Sequence, residues 1–205
     1  MDLAAELLAL GAATIGESGG LVMSPRLRPA WPGAAVAAPA YPVTLPPADN
    51  LAIHAAVVRA PAGSVLVVDA SSEPERGYWG EVLTTAAESR GLAGLVIDGG
   101  VRDVVALQAH AFPVFSALIA LRGAVKVQGG SVGLPATVGD VVVSVGDWVV
   151  ADADGVTVVP GASLEVVVAA GRARAEKEAH MFEDLRAGKT TIELLGLDPS
   201  SVQSG

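Results

Sequence analysis

The sequence predicts an α/β domain built on a mixed sheet, and three observations predict it. Short continuous apolar runs such as "SVLVVDA" and "LAGLVID" alternate with helix-periodic stretches through the first half of the chain. From Gly123 to Pro160 the text changes to short β-rich pieces with Gly and Asp between them. A helical run from about Ser163 to Ala187 then closes the pattern. Early β-α-β alternation followed by hairpins favours a mixed sheet with helices over a uniformly doubly wound fold.

Each element has its own reason. "MDLAAELLALGAATIGESGG" reads as a starting helix, with acids where a secretory signal would carry basic residues, so a cytoplasmic location is expected. Prolines from Pro25 to Pro47 punctuate the next stretch, and "AAVAAPAYPV" reads as a short strand of edge character, because proline cannot donate to a ladder. "DNLAIHAAVVRA" is a helix capped by Asp49 or Asn50 and ended by Pro61 and Gly63. After the buried strand "SVLVVDA", a loop leads to the helix "WGEVLTTAAESRG", with Gly91 where a C-terminal cap belongs.

"LAGLVID" is again a strand. It ends in Asp98, turns through Gly99 and Gly100, and sets Arg102 beside Asp103 at the head of a short helix running to His110. "FPVFSA" is the next strand, and Asp154-Gly155 between β-branched runs is a hairpin signal. "TTIELLGL" comes after the long helix. With no internal repeat and no low-complexity linker, residues 1–205 read as one domain.

Composition narrows the function. At 51% hydrophobic and 17% charged, 205 residues can bury a core. No apolar run reaches the roughly 18–20 residues of a membrane span, so no membrane partner is expected. The absence of Cys excludes disulfides, thiolate metal sites and cysteine nucleophiles. A net charge of −9 argues against nucleic acid as the main partner, because phosphate contact needs a basic footprint. With three histidines, a metal, if used, should be a hard cation held by carboxylates and water.

The charged turn admits two readings. Asp103 can cap its short helix, Arg102 can form a surface ion pair, and Glu81 can simply favour the dipole of its helix. Together they can also do chemistry. A carboxylate and waters can hold Mg²⁺, a 2-oxo acid can displace waters, and a guanidinium favours charge building on the keto oxygen. Gly80 lets backbone approach a ligand, and amides at the start of the Glu81 helix can bind a carboxylate. Other residues read more plainly. "DADG" at 152–155 is a hairpin turn rather than a calcium loop, and Asp98 steers the turn. His54 packs, His110 and His180 are exposed, and Trp79 and Trp148 belong to a core or interface.

"DNLAIHAAVVRAPAGSVLVVDA", "YWGEVLTTAAESRGLAGLVIDGGVRDVVAL", "FPVF", "VGDWVVADADGVTVVP" and "ARAEKEA" together resemble the RraA-like family, from about Leu7 to Leu197. That family includes divalent-metal-dependent 4-hydroxy-4-methyl-2-oxoglutarate / 4-carboxy-4-hydroxy-2-oxoadipate aldolases. Its most specific trace here is an acid, twenty intervening residues and Arg-Asp: Glu81, then Arg102-Asp103. The resemblance implies a swivelling β/β/α sandwich with mixed sheets and a long C-terminal helix. It also implies a homotrimer or homohexamer with the site between protomers.

For chemistry, the resemblance implies retro-aldol cleavage of 4-hydroxy-2-oxo diacids to pyruvate, with Mg²⁺ or Mn²⁺ as cofactor and oxaloacetate decarboxylation as a side activity. Asp103 matches the metal ligand and Arg102 the arginine at the keto oxygen. Glu81 matches an acid that orients water, and the amides of Val82 and Leu83, beside Gly80, match those that bind the pyruvyl carboxylate. Glu178, or Glu176 close by, matches an acid from a neighbouring protomer. Lys126, Lys177 and Lys189 lie outside the matched site segments, which disfavours a Schiff-base route. The chain departs from the pattern at Glu81, where those aldolases have Asp, at Ala106, where an acid is common, and at Glu17-Ser18, where Asp-Ala is frequent. The alternative within the family is a non-catalytic protein that regulates ribonuclease activity by protein contact.

Overall fold

Runs of β-branched residues too apolar to face water on either side become inner strands with a helix or a second sheet on each face. The computed structural model describes residues 2–203. Its strands are β1 (Leu21–Val22), β2 (Arg28–Pro29), β3 (Val36–Thr44), β4 (Val65–Asp69), β5 (Gly77–Trp79) and β6 (Gly94–Val101), then β7 (Val114–Ile119), β8 (Ser131–Val132), β9 (Ala136–Val138), β10 (Val141–Val143), β11 (Trp148–Asp152) and β12 (Gly155–Val159). The helices are α1 (Leu3–Glu17), α2 (Leu51–Arg59), α3 (Glu81–Ser89), α4 (Val104–Ala109), α5 (Leu164–Arg186) and α6 (Thr191–Leu195).

The main sheet runs β1-β12-β11-β3-β4-β6-β7-β2, with β5 beside β6 and β8 beside β3; β9 and β10 form a separate hairpin. The pivot is β3. Val36–Pro39 pair antiparallel with β11, whereas Ala40–Thr44 pair parallel with β4, so the sheet curls over on itself. The expectation of an edge strand is therefore corrected. Pro39 sits where pairing passes from one neighbour to the other, a place where a missing N–H breaks neither ladder, and Pro42 is buried opposite Val67.

Alternation along the strands sorts side chains into three apolar layers. Leu66, Val68, Leu95 and Ile97 pack under α2, α3 and α4 with Ile53, Leu83 and Leu107. Val65, Val67 and Val96 point the other way, into a sheet-on-sheet core with Val149, Val156 and Val158. On the far side Val150 and Val159 meet α1 and α5 through Leu7, Ile15, Val167 and Val168. The result is the expected mixed-sheet sandwich with a long C-terminal helix. Among the described residues, no helix is long and apolar enough to cross a membrane.

α1 is broken at Gly11 (φ 80°), and the Asp152 carboxylate accepts the freed Ala12 amide at 2.8 Å. The hairpin at Asp154-Gly155 forms as expected, with Asp152 opposite Gly155.

Two local expectations change. Trp79 is not helical: it ends β5, stacked on Phe112 at 6.0 Å, and α3 begins only after Gly80. Gly99 and Gly100 do not turn the chain either, because β6 runs on to Val101, buried throughout. They are glycines for lack of room. A Cβ on Gly99 would lie 2.7 Å from the Ala70 Cβ, and one on Gly100 would lie 2.5 Å from the Arg76 carbonyl oxygen. Asp98 is thus a mid-strand residue. Its buried carboxylate accepts from Arg26 Nε (2.8 Å) and Nη2 (2.5 Å) and from the Gly139 amide (3.1 Å).

Removing the guanidinium strands that carboxylate in the sheet-on-sheet core. Arg26→Ala should lower stability by about 2–3 kcal/mol, read as a drop in the urea unfolding midpoint with an unchanged slope.

Candidate active site

β5 and β6 are parallel neighbours that end together, so the segments leaving their carboxyl ends meet. After β5 comes Gly80 and the first turn of α3; after β6 comes Arg102-Asp103 and then α4. The first amides of a helix have no acceptor inside it. Here the Glu81 amide is met at 3.1 Å by Asp103 Oδ2, reaching across from the neighbouring strand end. The amides of Val82 and Leu83 stay available at a helix N-terminus, the place where backbone and dipole together favour an anion.

Asp103 does not cap its own helix, contrary to the simplest sequence reading. It occupies the position before α4 in a left-handed conformation (φ 57°, ψ 37°) with no side-chain bond to α4, and its carboxylate serves α3 instead. A non-glycine residue there costs on the order of 1 kcal/mol. Arg102 is held by its own amide, which donates to the Trp79 carbonyl at 2.9 Å, and its Nε lies 3.9 Å from Asp103 Oδ2. Gly80 makes the contact possible, since a Cβ there would fall 2.3 Å from Asp103 Oδ2.

Gly80, Val82, Leu83, Arg102 and Asp103 line one cavity of about 320 Å³. Cavities of about 400 and 420 Å³ elsewhere are lined mainly by apolar side chains such as Met23 and Val156, or Leu164 and Val168. Chemistry, not size, singles out the smaller one. Arg102 and Asp103 are each somewhat under half exposed there, open to a ligand.

Glu81 lies at this corner but does not line the cavity. Its half-exposed carboxylate turns toward α4, with Oε1 3.7 Å from His110 Nε2. His110, expected to be exposed, is largely covered, and its Nδ1 is 2.8 Å from Glu88 Oε2. Glu178 and Glu176 lie on α5, with Glu178 paired to Arg174 at 2.8 Å. Neither lines the cavity within one chain, so a role there requires a neighbouring protomer.

Three lining residues depart from the roles expected of them. Of the two residues expected to cap α2, Asp49 accepts the Leu51 amide at 2.8 Å, whereas Asn50 makes no side-chain cap bond. Its Nδ2 donates to the Tyr78 carbonyl at 2.8 Å, and its buried Oδ1 has no partner. His54, expected only to pack, lines the cavity with Nε2 unpartnered, and burial, then the charge of Lys126, pushes its pKa down. Lys126 lies outside the matched site segments in sequence, yet it too is in the lining. Asn50 and His54 are one helical turn apart and therefore share a face, the one signal of this grouping that the sequence carries.

Asp49 explains how Lys126 gets there. Its buried carboxylate accepts the amides of Leu51 (2.8 Å), Val127 (2.6 Å) and Gln128 (2.7 Å), tying the segment after Gly123 to the start of α2. Burial raises its pKa, but the Gln128, Leu51 and Val127 amides, with the nearby Lys126 charge, outweigh that and bring it below the ordinary value.

Among the described residues, no group of three or more His, Cys, Asp or Glu is gathered to hold a metal. The donor set at the cavity is one open carboxylate, Asp103. That suits a largely hydrated hard dication such as Mg²⁺, which keeps several waters and takes one or two carboxylates, and does not suit an all-protein cage.

Comparison with known proteins fits this geometry. The profile of the family described as "RraA-like: Aldolase/RraA" matches residues 12–158. A protein of Halalkalibacterium halodurans, named as a candidate 4-hydroxy-4-methyl-2-oxoglutarate aldolase, is 37% identical over 145 residues, 70% of this chain and 69% of that protein. The crystal structure of an uncharacterised protein from Pseudomonas syringae pv. tomato superposes with a TM-score of 0.78 at 27% identity, covering 91% of this chain and 85% of the other. The RNA-processing inhibitor RraA from Thermus thermophilis shares the fold, with a TM-score of 0.66 at 24% identity over 73% of this chain and 92% of its own.

Two outcomes test the geometry. Because the Asp49 pKa is lowered in the fold, its carboxylate stabilises the protein above the ordinary carboxylate range, and that contribution is lost as pH falls through the folded value. Asp49→Asn should therefore cost about 2 kcal/mol at pH 7, and the difference from the wild type should shrink as pH is lowered beneath the ordinary carboxylate range, measured by urea unfolding across an acid series. Gly80→Ala should leave the circular dichroism spectrum intact but expel the Asp103 carboxylate, seen crystallographically as loss of its contact with the Glu81 amide.

Proposed function

The chain belongs to the RraA-like, Aldolase/RraA family, and on that premise we propose that it is a divalent-metal-dependent lyase that cleaves 4-hydroxy-2-oxo diacids of the 4-hydroxy-4-methyl-2-oxoglutarate type to release pyruvate. The observation that carries this reading is that Arg102 and Asp103 face the same cavity as the free first-turn amides of α3. A 2-oxo acid needs that combination: amides for its carboxylate and positive charge for its keto oxygen.

Each residue has a task. The amides of Val82 and Leu83 bind the substrate's first carboxylate, which Gly80 allows to come close. Asp103, with waters, would hold Mg²⁺ or Mn²⁺, which supplies Lewis acidity at the keto oxygen. The Arg102 guanidinium, always charged, favours the negative charge that gathers on that oxygen. Glu81 orients the water that removes the C4 hydroxyl proton. The C3–C4 bond then breaks, its electrons pass into the pyruvate enolate, the C4 carbonyl departs, and a proton at C3 completes pyruvate. Oxaloacetate, by losing carbon dioxide, reaches the same enolate and is a side substrate. Glu178 or Glu176 of a neighbouring protomer completes the acid set in a homotrimer or homohexamer.

Purified protein with Mg²⁺ or Mn²⁺ should release pyruvate from a 4-hydroxy-2-oxo diacid and more slowly from oxaloacetate, and a chelator should stop both. Asp103→Ala should lower kcat by about 10³-fold and Arg102→Lys by about 10²-fold, with unchanged circular dichroism. Because Lys126 lines the cavity, borohydride treatment in the presence of pyruvate is the control for an imine route; no inactivation is expected. Metal-independent release would overturn the metal-dependent mechanism, and no release from a broad panel would favour the non-catalytic regulator of ribonuclease activity.

A further inference from the structure

Glu81 is the one residue of the Gly80–Leu83 corner that does not face the cavity, although the proposed chemistry uses its carboxylate. The reason lies on α4. His110 closes that helix, and its imidazole lies against α3, where Glu81 and Glu88, two turns apart, share a face. Nδ1 is 2.8 Å from Glu88 Oε2 and Nε2 is 3.7 Å from Glu81 Oε1. The two contacts differ in kind. Glu88, at hydrogen-bond distance, accepts from Nδ1–H and sets the ring's orientation, and the doubly protonated ring then turns Nε2–H toward the Glu81 carboxylate.

We infer that His110 is a positioning residue for Glu81, with Glu88 fixing the imidazole so that the glutamate carboxylate is held in one place beside the Gly80 corner of the Arg102–Asp103 cavity. This inference rests on the lyase reading and assigns the device that reading needs. A glutamate side chain more than half exposed has many rotamers. A carboxylate that must orient one water cannot be left to sample them, and a nitrogen 3.7 Å away restricts it. Glu88, His110 and Glu81 thus form a carboxylate–imidazole–carboxylate series running along α3 to its first turn, beside the cavity, of the kind by which outer partners orient the groups that act. Because His110 touches neither cavity nor substrate, it changes turnover without changing binding.

The test is a double-mutant cycle on pyruvate release by the metal-loaded protein. His110→Ala should lower kcat about tenfold, with KM for the 2-oxo acid and the thermal midpoint essentially unchanged. His110→Gln, whose amide can still donate toward Glu81, should retain most of the rate. In a Glu81→Gln background, His110→Ala should have less than about a twofold further effect, since residues acting as a unit are not additive. Independently of activity, Glu81→Gln should shift the His110 Nε2 resonance in a nitrogen-15 NMR spectrum. Additive losses, an unchanged kcat in His110→Ala, or an unmoved resonance would overturn the inference while leaving the lyase reading standing. A wild-type protein that releases no pyruvate would overturn both.

Discussion

A single hydrogen bond organises this corner of the molecule: the Asp103 carboxylate accepting the Glu81 amide across the gap that Gly80 leaves open. It joins the end of β6 to the start of α3, and so decides which first-turn amides of that helix are engaged. One amide is taken internally; the next two remain for a ligand. The same contact holds Asp103 in its left-handed backbone conformation and keeps Arg102 beside it, with the Arg102 amide tied to the end of β5. Strain at one residue is offset by contacts with the end of β5 and the start of α3.

The rest of the fold can be understood as support for that corner. β5 and β6 are parallel, so their carboxyl ends lie side by side, the place where open α/β sheets form ligand crevices. For β5 to lie so close, β6 must carry Gly99 and Gly100, because any side chain there would strike Ala70, Arg76 or Ala120. β3 then couples this parallel half to the antiparallel β11–β12 half, leaving a buried apolar layer on each side of β4 and β6. Interiors packed at this density do not yield locally, which is what a site built from a turn and a helix end requires. On the opposite wall Asp49 does a comparable task, drawing three backbone amides onto one buried carboxylate and so bringing Lys126 to the cavity.

Much of this is legible residue by residue. The apolar runs that form β4, β6 and β7 are continuous because both faces are buried, and period alone finds them. The long helix α5 and the β11–β12 hairpin come from length and from Asp154-Gly155. The Arg102-Asp103 pair stands out because charges are scarce around it. The misreadings share a physical cause. Gly99-Gly100 resembles a turn because glycine marks turns and crowded strands alike, and only the neighbour that crowds them tells the two apart. Pro39 suggests an edge because a missing N–H matters in one ladder, and the exchange between two ladders is invisible in sequence. Asp103 resembles a cap for the helix it precedes, when the amide it serves begins a different helix 22 residues earlier.

By itself, then, the sequence determined which segments are strands and helices, which of them are buried on both faces, and which few charges lie in an otherwise apolar region. These are local properties, set by side-chain period, propensity and the cost of burying charge. Only the tertiary structure decided that Asn50, His54 and Lys126 share a cavity with Arg102 and Asp103, and that Glu81 stays outside its lining with His110 beside its carboxylate. Those outcomes depend on distances between segments far apart in the chain, and such distances are set by how the sheet curls and packs, which no single segment encodes.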